Sequence, residues 1–460
     1  MYDTIIIGGG PAGYLAAERL GHAQKKVLLI EEEHLGGTCL NVGCIPTKTL
    51  LNSAKLYVHA KEAHKFGIQA EGVSFDWKAV QNWKAEVISK LRAGIESKMK
   101  HFGVEVIKGR GEILNAASGD KPARVRSIMP NGNNEYDTKN ILVCTGSFSV
   151  MPPIPGLKDN PLAVDSTGIL SVEKVPKRLA VIGGGVMGVE FADIFSALGS
   201  EVTIIEMMDE ILPFMDREQS PVVRRSMKNV NFKMGCKVDK FEKSTTFYTT
   251  KEGKTETLEA DLILVAIGRR PVLDTWGAKA AGIDVTPSGV VADDRMRTNI
   301  PGIWAAGDVT GKSLLAHSAY RMAEVAVADM LGKKDRWRSN AIPWAVFCLT
   351  ESAGVGITEQ DAEAQGIPIL KASLPMTYSG RFSAENTFAG IGTVKVIANA
   401  ADRRILGIHA VGAYSSEFIW GGAALIEQEL RIDDVKELIF PHPTVSELIR
   451  DVVWNITDNR

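Results

Sequence analysis

The chain has 460 residues, 45% of them hydrophobic, with 53 basic against 55 acidic side chains and a formal net charge of −2. That length allows two to three domains with sizeable cores, and balanced charge without a long basic block gives no electrostatic case for binding nucleic acid or an anionic membrane. No apolar run reaches membrane-spanning length, and five cysteines are too few, and odd in number, for a secreted disulphide framework.

In chain order, Met1-Tyr2-Asp3 lead straight into a strand, Thr4-Ile5-Ile6-Ile7. That leaves no room for a signal or transit peptide, so a cytoplasmic location is expected. Gly8, Gly10 and Gly13 then stand at G-x-G-x-x-G spacing ahead of a helix, and a second strand, Val27 to Ile30, ends on Glu31. The first glycine permits a tight turn, the second lets backbone approach a pyrophosphate, and the third lets helix sit close on strand. Phosphate meets the unbonded N–H groups and positive end of the helix, and the acid accepts from ribose hydroxyls.

Cys39 and Cys44 follow directly, in Gly36-Gly37-Thr38-Cys39-Leu40-Asn41-Val42-Gly43-Cys44-Ile45-Pro46-Thr47-Lys48. Their spacing suits neither a zinc ribbon nor a thioredoxin-type C-x-x-C. In a regular helix Cα atoms five residues apart stand roughly 8–9 Å from each other, beyond the reach of a disulphide at about 7 Å. A bond between them therefore requires irregular backbone, which Gly43 can supply; two buried thiols is the other reading. Cys144, Cys236 and Cys348 each sit alone among apolar neighbours and are expected in the core.

Residues 50–100 read as helical and Val104 to Val125 as strands. The strand Ile141 to Cys144 runs into Thr145-Gly146, and the proline-rich stretch Met151 to Gly156 marks a domain boundary. The opening module then recurs: Leu179 to Ile182, the glycines Gly183, Gly185 and Gly188, and a strand Val202 to Ile205 ending on Glu206. Glu206 follows its last glycine at the same offset as Glu31 follows Gly13. One such fingerprint is weak; two in strand–turn–helix context with matching acids outweigh two glycine-rich turns that bind nothing. Glu206 is followed by Met207-Met208-Asp209-Glu210, with no cation for a 2′-phosphate, which favours NAD over NADP unless selectivity lies in other residues. A strand Leu262 to Ile267 precedes Gly268-Arg269-Arg270-Pro271, and Gly302 to Ala306 leads to Gly307-Asp308. From about 342 the pattern changes: strands Gly392 to Ile397 and Leu406 to Val411, then helical segments, with no third fingerprint. His442 lies between Pro441 and Pro443, with Glu447 nearby. A dithiol attacking a disulphide needs a base to form its thiolate, and a histidine oriented by a carboxylate fits that task. Taken alone, this histidine reads more readily as a surface residue.

With these segments in place the whole chain resembles the pyridine nucleotide-disulphide oxidoreductases with a C-x4-C centre, the dihydrolipoamide dehydrogenases above all. The resemblance is carried by the two fingerprints, Gly37 to Lys48, Glu190 and Glu206, Ala305-Ala306-Gly307-Asp308, Leu315-Ala316-His317, and His442-Pro443-Thr444 with Glu447. It implies an α/β fold: an FAD-binding Rossmann-like domain at 1–147 and 271–341, an NAD-binding one at 148–270, and an α+β interface (dimerisation) domain at 342–460. FAD would lie on Gly8, Gly10 and Gly13 with Glu31 at the adenosine ribose, Asp308 at the ribityl–phosphate region, Ala316 at the isoalloxazine and Lys48 beside the ring. Thr38, Gly111, Thr145, Gly146 and His317 would complete that site. NAD would lie on Gly183, Gly185 and Gly188 with Glu206 at the ribose and Glu190, paired with Lys48, near the nicotinamide; Val238 and Gly268 complete the set. Cys39 would be the interchange thiol, Cys44 the thiolate facing the flavin, and His442 the acid–base, oriented by Glu447 and serving the other subunit of a homodimer.

The implied reaction passes electrons from a dihydrolipoyl dithiol, free or on a partner protein, to NAD, for 2-oxo acid dehydrogenase or glycine-cleavage systems, with no metal. Reduction of another small disulphide is the runner-up. NADPH-linked glutathione-type reductases fit the acidic stretch after Glu206 poorly, mercuric and large thioredoxin reductases need a tail cysteine that Trp454 to Arg460 lacks, and non-disulphide NADH flavoproteins lack one of the two cysteines. Three positions depart from the family pattern: Phe440 where a histidine is usual, no proline before Glu351, and Val272 where the Gly-Arg-x-Pro turn ends in asparagine.

Overall fold

The computed structural model describes residues 1–456; the cysteine-free stretch Thr457–Arg460 lies outside them. The chain divides into two compact units, one of Met1–Leu50, Lys78–Val150 and Gly268–Arg338, the other of Leu51–Trp77, Met151–Ile267 and Ser339–Arg460. The proline-rich stretch from Met151 falls at one of these divisions.

In the first unit, β1 (Tyr2–Ile7), α1 (Pro11–His22) and β2 (Val27–Glu31) lead off a seven-stranded sheet. Its order is Glu105–Lys108, β2, β1, Gly132–Val143, Ala123–Met129, Arg110–Asn115, with Ile303–Ala305 also paired to Gly132–Val143. The central strands are parallel, in register at Ile5↔Leu28 and Ile5↔Ile141. Successive side chains of a strand point to opposite faces, and both faces are covered. Ile6, Leu29 and Leu142 pack with Ala16, Leu20 and Met322 on one side; Ile5, Ile7, Leu28, Ile30 and Ile141 pack with Trp276 on the other. This is why the strands read as continuous apolar runs instead of alternating ones. The redox segment forms two helices, α2 (Gly37–Val42) and α3 (Cys44–Glu62), broken at Gly43.

In the second unit, Ala163–Val164, Arg178–Ile182, Glu201–Ile205, Val230–Lys233 and Leu262–Val265 make a parallel sheet, with a separate antiparallel sheet from Lys237–Glu242, Thr245–Thr249 and Thr255–Glu259. The C-terminal stretch is an antiparallel sheet in the order Trp344–Val346, Ser352–Gly356, Ile405–Val411, Thr393–Asn399, Ile369–Pro375. One face, with Val355, Val394, Val396 and Ile408, packs on Phe418, Leu448 and Val452 of its helices. The other carries Trp344, Gly354, His409 and Lys395 in cross-strand register. The fold is thus the expected α/β one, with two nucleotide modules and an α+β C-terminal domain. Among the described residues no helix is long and apolar enough to cross a membrane.

Candidate active site

The two fingerprints have nearly the same local geometry. Gly8 and Gly183 take φ of +101° and +107°, and a Cβ there would lie 2.3 Å from Cys144 O and 2.6 Å from Ala266 O. A Cβ on Gly13 or Gly188 would lie 1.8 or 2.0 Å from the carbonyl of the first glycine. Gly10 and Gly185, the N-caps of α1 and of helix Val186–Ala197, have no side-chain cap, so the first helical N–H groups face outward as an anion site. Glu31 accepts from Gly9 N at 2.6 Å and Glu33 N at 2.7 Å; Glu206 accepts from Gly184 N at 2.6 Å and Met208 N at 2.7 Å. Each carboxylate is fixed against its glycine turn with lone pairs to spare for ribose hydroxyls. Both cradles fit a dinucleotide: backbone donors, a fixed acid, and no side chain over the middle glycine.

They differ in what covers them. A Cβ on Gly37 would lie 2.6 Å from Gly10 Cα, so the redox segment docks backbone to backbone on the first cradle. A Cβ on Gly10 itself would meet Gly37 Cα at 3.8 Å, whereas among the described residues a Cβ on Gly185 would meet nothing within 4 Å. Gly36 and Gly37, at φ +97° and +56°, turn the chain into α2. Asn41 Nδ2 donates to Gly37 O and Leu35 O at 2.9 and 3.1 Å and is itself held by Arg92. Gly43 interrupts the helix at φ −145°, ψ −108°, and a Cβ there would lie 2.9 Å from Thr38 O. The required irregularity between Cys39 and Cys44 is therefore present. Both cysteines are half-buried thiols. The Cys39 thiol is hydrogen-bonded to Cys44, which with burial pushes it well above the usual thiol range while Lys48 opposes. Cys44 is the first residue of α3, where the helix dipole favours negative charge. Cys144, Cys236 and Cys348 are buried, as expected.

Around these in the first unit, Asp308 accepts from Ser147 Oγ at 2.6 Å; burial lifts its carboxyl above the usual range against the pull of Ser147 and Arg269. A Cβ on Gly307, at φ +82°, would touch Ala12 of α1, so Asp308 follows a turn pressed onto the fingerprint helix. Ala316 and His317 open the helix Ala316–Met330, which shares a core with α1. Gly111 abuts Ile7, Thr145 Oγ1 donates to Val272 O at 3.3 Å, Gly146 has φ +70°, and Thr38 lies in α2 and Lys48 in α3. The sequence reading missed Tyr14 and Tyr320, whose hydroxyls are hydrogen-bonded to each other. Burial raises both pKa values and the Cys39 sulfur adds to the shift. Two tyrosines far apart in sequence carry no shared signal.

In the second unit Glu190 accepts from Phe347 N at 2.9 Å. One turn on, Asp193, also missed from sequence, accepts from Leu349 N at 2.6 Å. Val238 pairs with Tyr248 just after Cys236 N donates to Glu206 O. Gly268, at φ +121°, belongs to the first unit, where its carbonyl accepts from Val150 N at 3.0 Å. His442 is largely exposed, with Nδ1 at 3.0 Å from Glu447 Oε2; the glutamate side chain is 8% exposed. Burial alone would raise the Glu447 carboxyl, but the bonds from His442 and Thr444 N hold it below the usual range. The buried carboxylate fixes the ring through Nδ1 and leaves Nε2 pointing away from it.

Residues 2–323 match the family model for pyridine nucleotide-disulphide oxidoreductase, and 342–453 that for the dimerisation domain of the same family. The chain is 36% identical over 453 residues to the dihydrolipoyl dehydrogenase of Bacillus subtilis, covering 97% of this chain and 94% of that one. It is 40% identical over 465 residues to the dihydrolipoamide dehydrogenase of Chaetomium thermophilum, covering 98% and 90%. Among solved structures, the HOCl-induced flavoprotein disulfide reductase RclA from Escherichia coli superposes with a TM-score of 0.87 at 30% identity, over 99% of this chain and 100% of that one. By its fold, its paired nucleotide cradles and these relatives, the chain belongs to the pyridine nucleotide-disulphide oxidoreductase family and, within it, to the dihydrolipoyl dehydrogenases.

Proposed function

We propose that the protein oxidises dihydrolipoyl groups and reduces NAD, working as a homodimer in which His442 and Glu447 complete the partner subunit's thiol pair. The observation that carries the reading is the docking of Gly37 on Gly10, which sets the Cys39–Cys44 segment on one nucleotide cradle and leaves the other open. The covered cradle, with Glu31, Thr38, Lys48 and Asp308, suits a resident FAD; the open one, with Glu206 followed in the chain by Met207-Met208-Asp209-Glu210 and no basic residue, suits an NAD that exchanges.

In this reading His442 takes the proton of one substrate thiol. The thiolate attacks Cys39 of the oxidised pair, the Cys39–Cys44 bond breaks, and Cys44 leaves as thiolate at the head of α3. The second substrate thiol displaces Cys39, its proton passing to the departing Cys39 sulfur, which closes the lipoyl disulphide and leaves the enzyme pair reduced by two electrons, with Cys39 as thiol, Cys44 as thiolate and one proton on His442. FAD supplies the two-electron relay from that pair to the nicotinamide. Glu447 keeps the imidazole oriented throughout. The natural donors are lipoyl groups of 2-oxo acid dehydrogenase or glycine-cleavage assemblies, and the reducing cytoplasm is the compartment this chemistry fits.

Phe440 and the RclA likeness favour one alternative, reduction of a different small disulphide by NADH. A single assay separates the two: NADH formation from dihydrolipoamide and NAD, beside NADP and beside NADPH with oxidised glutathione. Rapid NAD-specific turnover supports the lipoyl reading. Flavin bleached by NADH without dihydrolipoamide turnover would move the assignment to the other disulphide.

A further inference from the structure

The chain beyond the second ribose acid continues into a buried charge cluster. Met208 N donates to Glu206, and Leu212 N donates to Gly184 O at 2.9 Å, so the stretch from Met207 is bonded to the glycine turn itself. Ile211, Leu212 and Met215 are buried, and the loop then reaches Asp216, fully buried. There it meets the polar face of the C-terminal sheet. Lys395 Nζ lies 2.9 Å from Asp216 Oδ1, 2.6 Å from Glu359 Oε2 and 2.9 Å from Glu218 Oε2. Asp216 Oδ2 accepts the Glu359 N–H at 2.9 Å, and Gln360 Nε2 donates to Met215 O at 2.7 Å. Lys371 and Arg217 hold the other Glu359 oxygen at 2.6 and 2.7 Å. The oxygens of Asp216, Glu218 and Glu359 lie within 4.8 Å of one another, and the ammonium stands among them as a cation would.

Cohesion alone does not explain this arrangement. Apolar residues of similar volume join two surfaces as well as a buried ion pair does, without the desolvation cost. What a three-limbed ammonium adds is direction: it fixes where Asp216, and hence the loop, must sit.

We propose that Lys395 is a positioning residue for the nucleotide. It anchors the loop 207–219 to the C-terminal sheet and, through Leu212–Gly184 and Met208–Glu206, sets the glycine turn and the ribose acid. The inference rests on the second fingerprint being the NAD site.

The test uses the FAD-loaded full chain. NADH affinity is read at equilibrium by fluorescence, and flavin reduction by dihydrolipoamide in a stopped-flow experiment. In Lys395→Ala the NADH Kd rises about tenfold, within the usual range of coupling between sites, while flavin reduction by the dithiol keeps its rate. Millimolar Ca²⁺, entering the vacated carboxylates, restores NADH affinity in Lys395→Ala and leaves wild type unchanged. If Lys395→Ala does not fold, Glu218→Gln removes one half-exposed limb and raises Kd in the same direction by a smaller factor. NADH binding as tight as wild type in whichever variant folds would overturn the proposal. Wild type that binds no NADH would instead overturn the NAD reading beneath it.

Discussion

Asp193 gives a prediction whose size follows from its surroundings. It lies in helix Val186–Ala197 with 6% of its surface exposed and accepts a 2.6 Å bond from Leu349 N. Burial pushes its carboxyl from 3.8 up to about 6, against the opposing pull of the Leu349 N–H, Lys55 and Cys348. The folded state therefore holds this proton more tightly than the unfolded chain. The associated stability is fully present below the unfolded value and is lost as pH rises through about 6. A shift of about two pK units corresponds to roughly 3 kcal/mol of destabilisation once the group is ionised, of which about half develops between pH 5 and pH 8. Asp193→Asn keeps an acceptor for Leu349 N without the charge. Its melting temperature relative to wild type should accordingly climb by a few degrees from pH 5 to pH 8, at about 2–4 °C per kcal/mol for large domains. A melting-temperature difference that is the same at both pH values would refute the reasoning.

His442→Ala should slow flavin reduction by dihydrolipoamide by about 10²–10⁴-fold, the usual contribution of a positioned base, while reduction of the same flavin by NADH keeps its rate. Near-normal lipoamide turnover would end the acid–base assignment. Gly43→Ala should drive Thr38 O away from α3 and misalign Cys39 with Cys44, slowing reoxidation of the thiol pair in a thiol-titration time course. NADH affinity, measured alongside, should not move.

Much of this was legible in the sequence because it depends on local backbone demands. Gly8, Gly183, Gly13 and Gly188 announce their turns because any Cβ there strikes backbone, and the apolar runs around Ile5 and Ile141 announce a sheet covered on both faces. The break at Gly43 followed from the reach of a disulphide. What stayed hidden depends on partners distant in the chain. Lys395 lies in a strand where alternation suggests exposure, yet it is buried because Asp216 and Glu359 arrive from elsewhere. Asp193 carries no motif, and its effect comes from a backbone N–H far along the chain. Gly37 looked like part of the cysteine segment, whereas its contact is with Gly10 of the fingerprint.

That contact divides each set of glycines into those that make the turn and the one that meets the ligand. Gly183 and Gly188 leave no space for a methyl group, so alanine at either should damage the fold. Gly185 has φ −75°, ordinary for any residue, and open space where its Cβ would be, so Gly185→Ala should melt like wild type. Its methyl group would stand where backbone must approach the pyrophosphate. Losing one charge-assisted hydrogen bond costs about 1.5–3 kcal/mol, so the KM for NAD should rise roughly ten- to a hundredfold while dihydrolipoamide still reduces the flavin at the normal rate. The matching change in the first cradle, Gly10→Ala, should instead lower the flavin content of the purified protein, because there the ligand is resident. If Gly185→Ala binds NADH as wild type does, the pyrophosphate does not cross that turn, and the second fingerprint serves the fold alone.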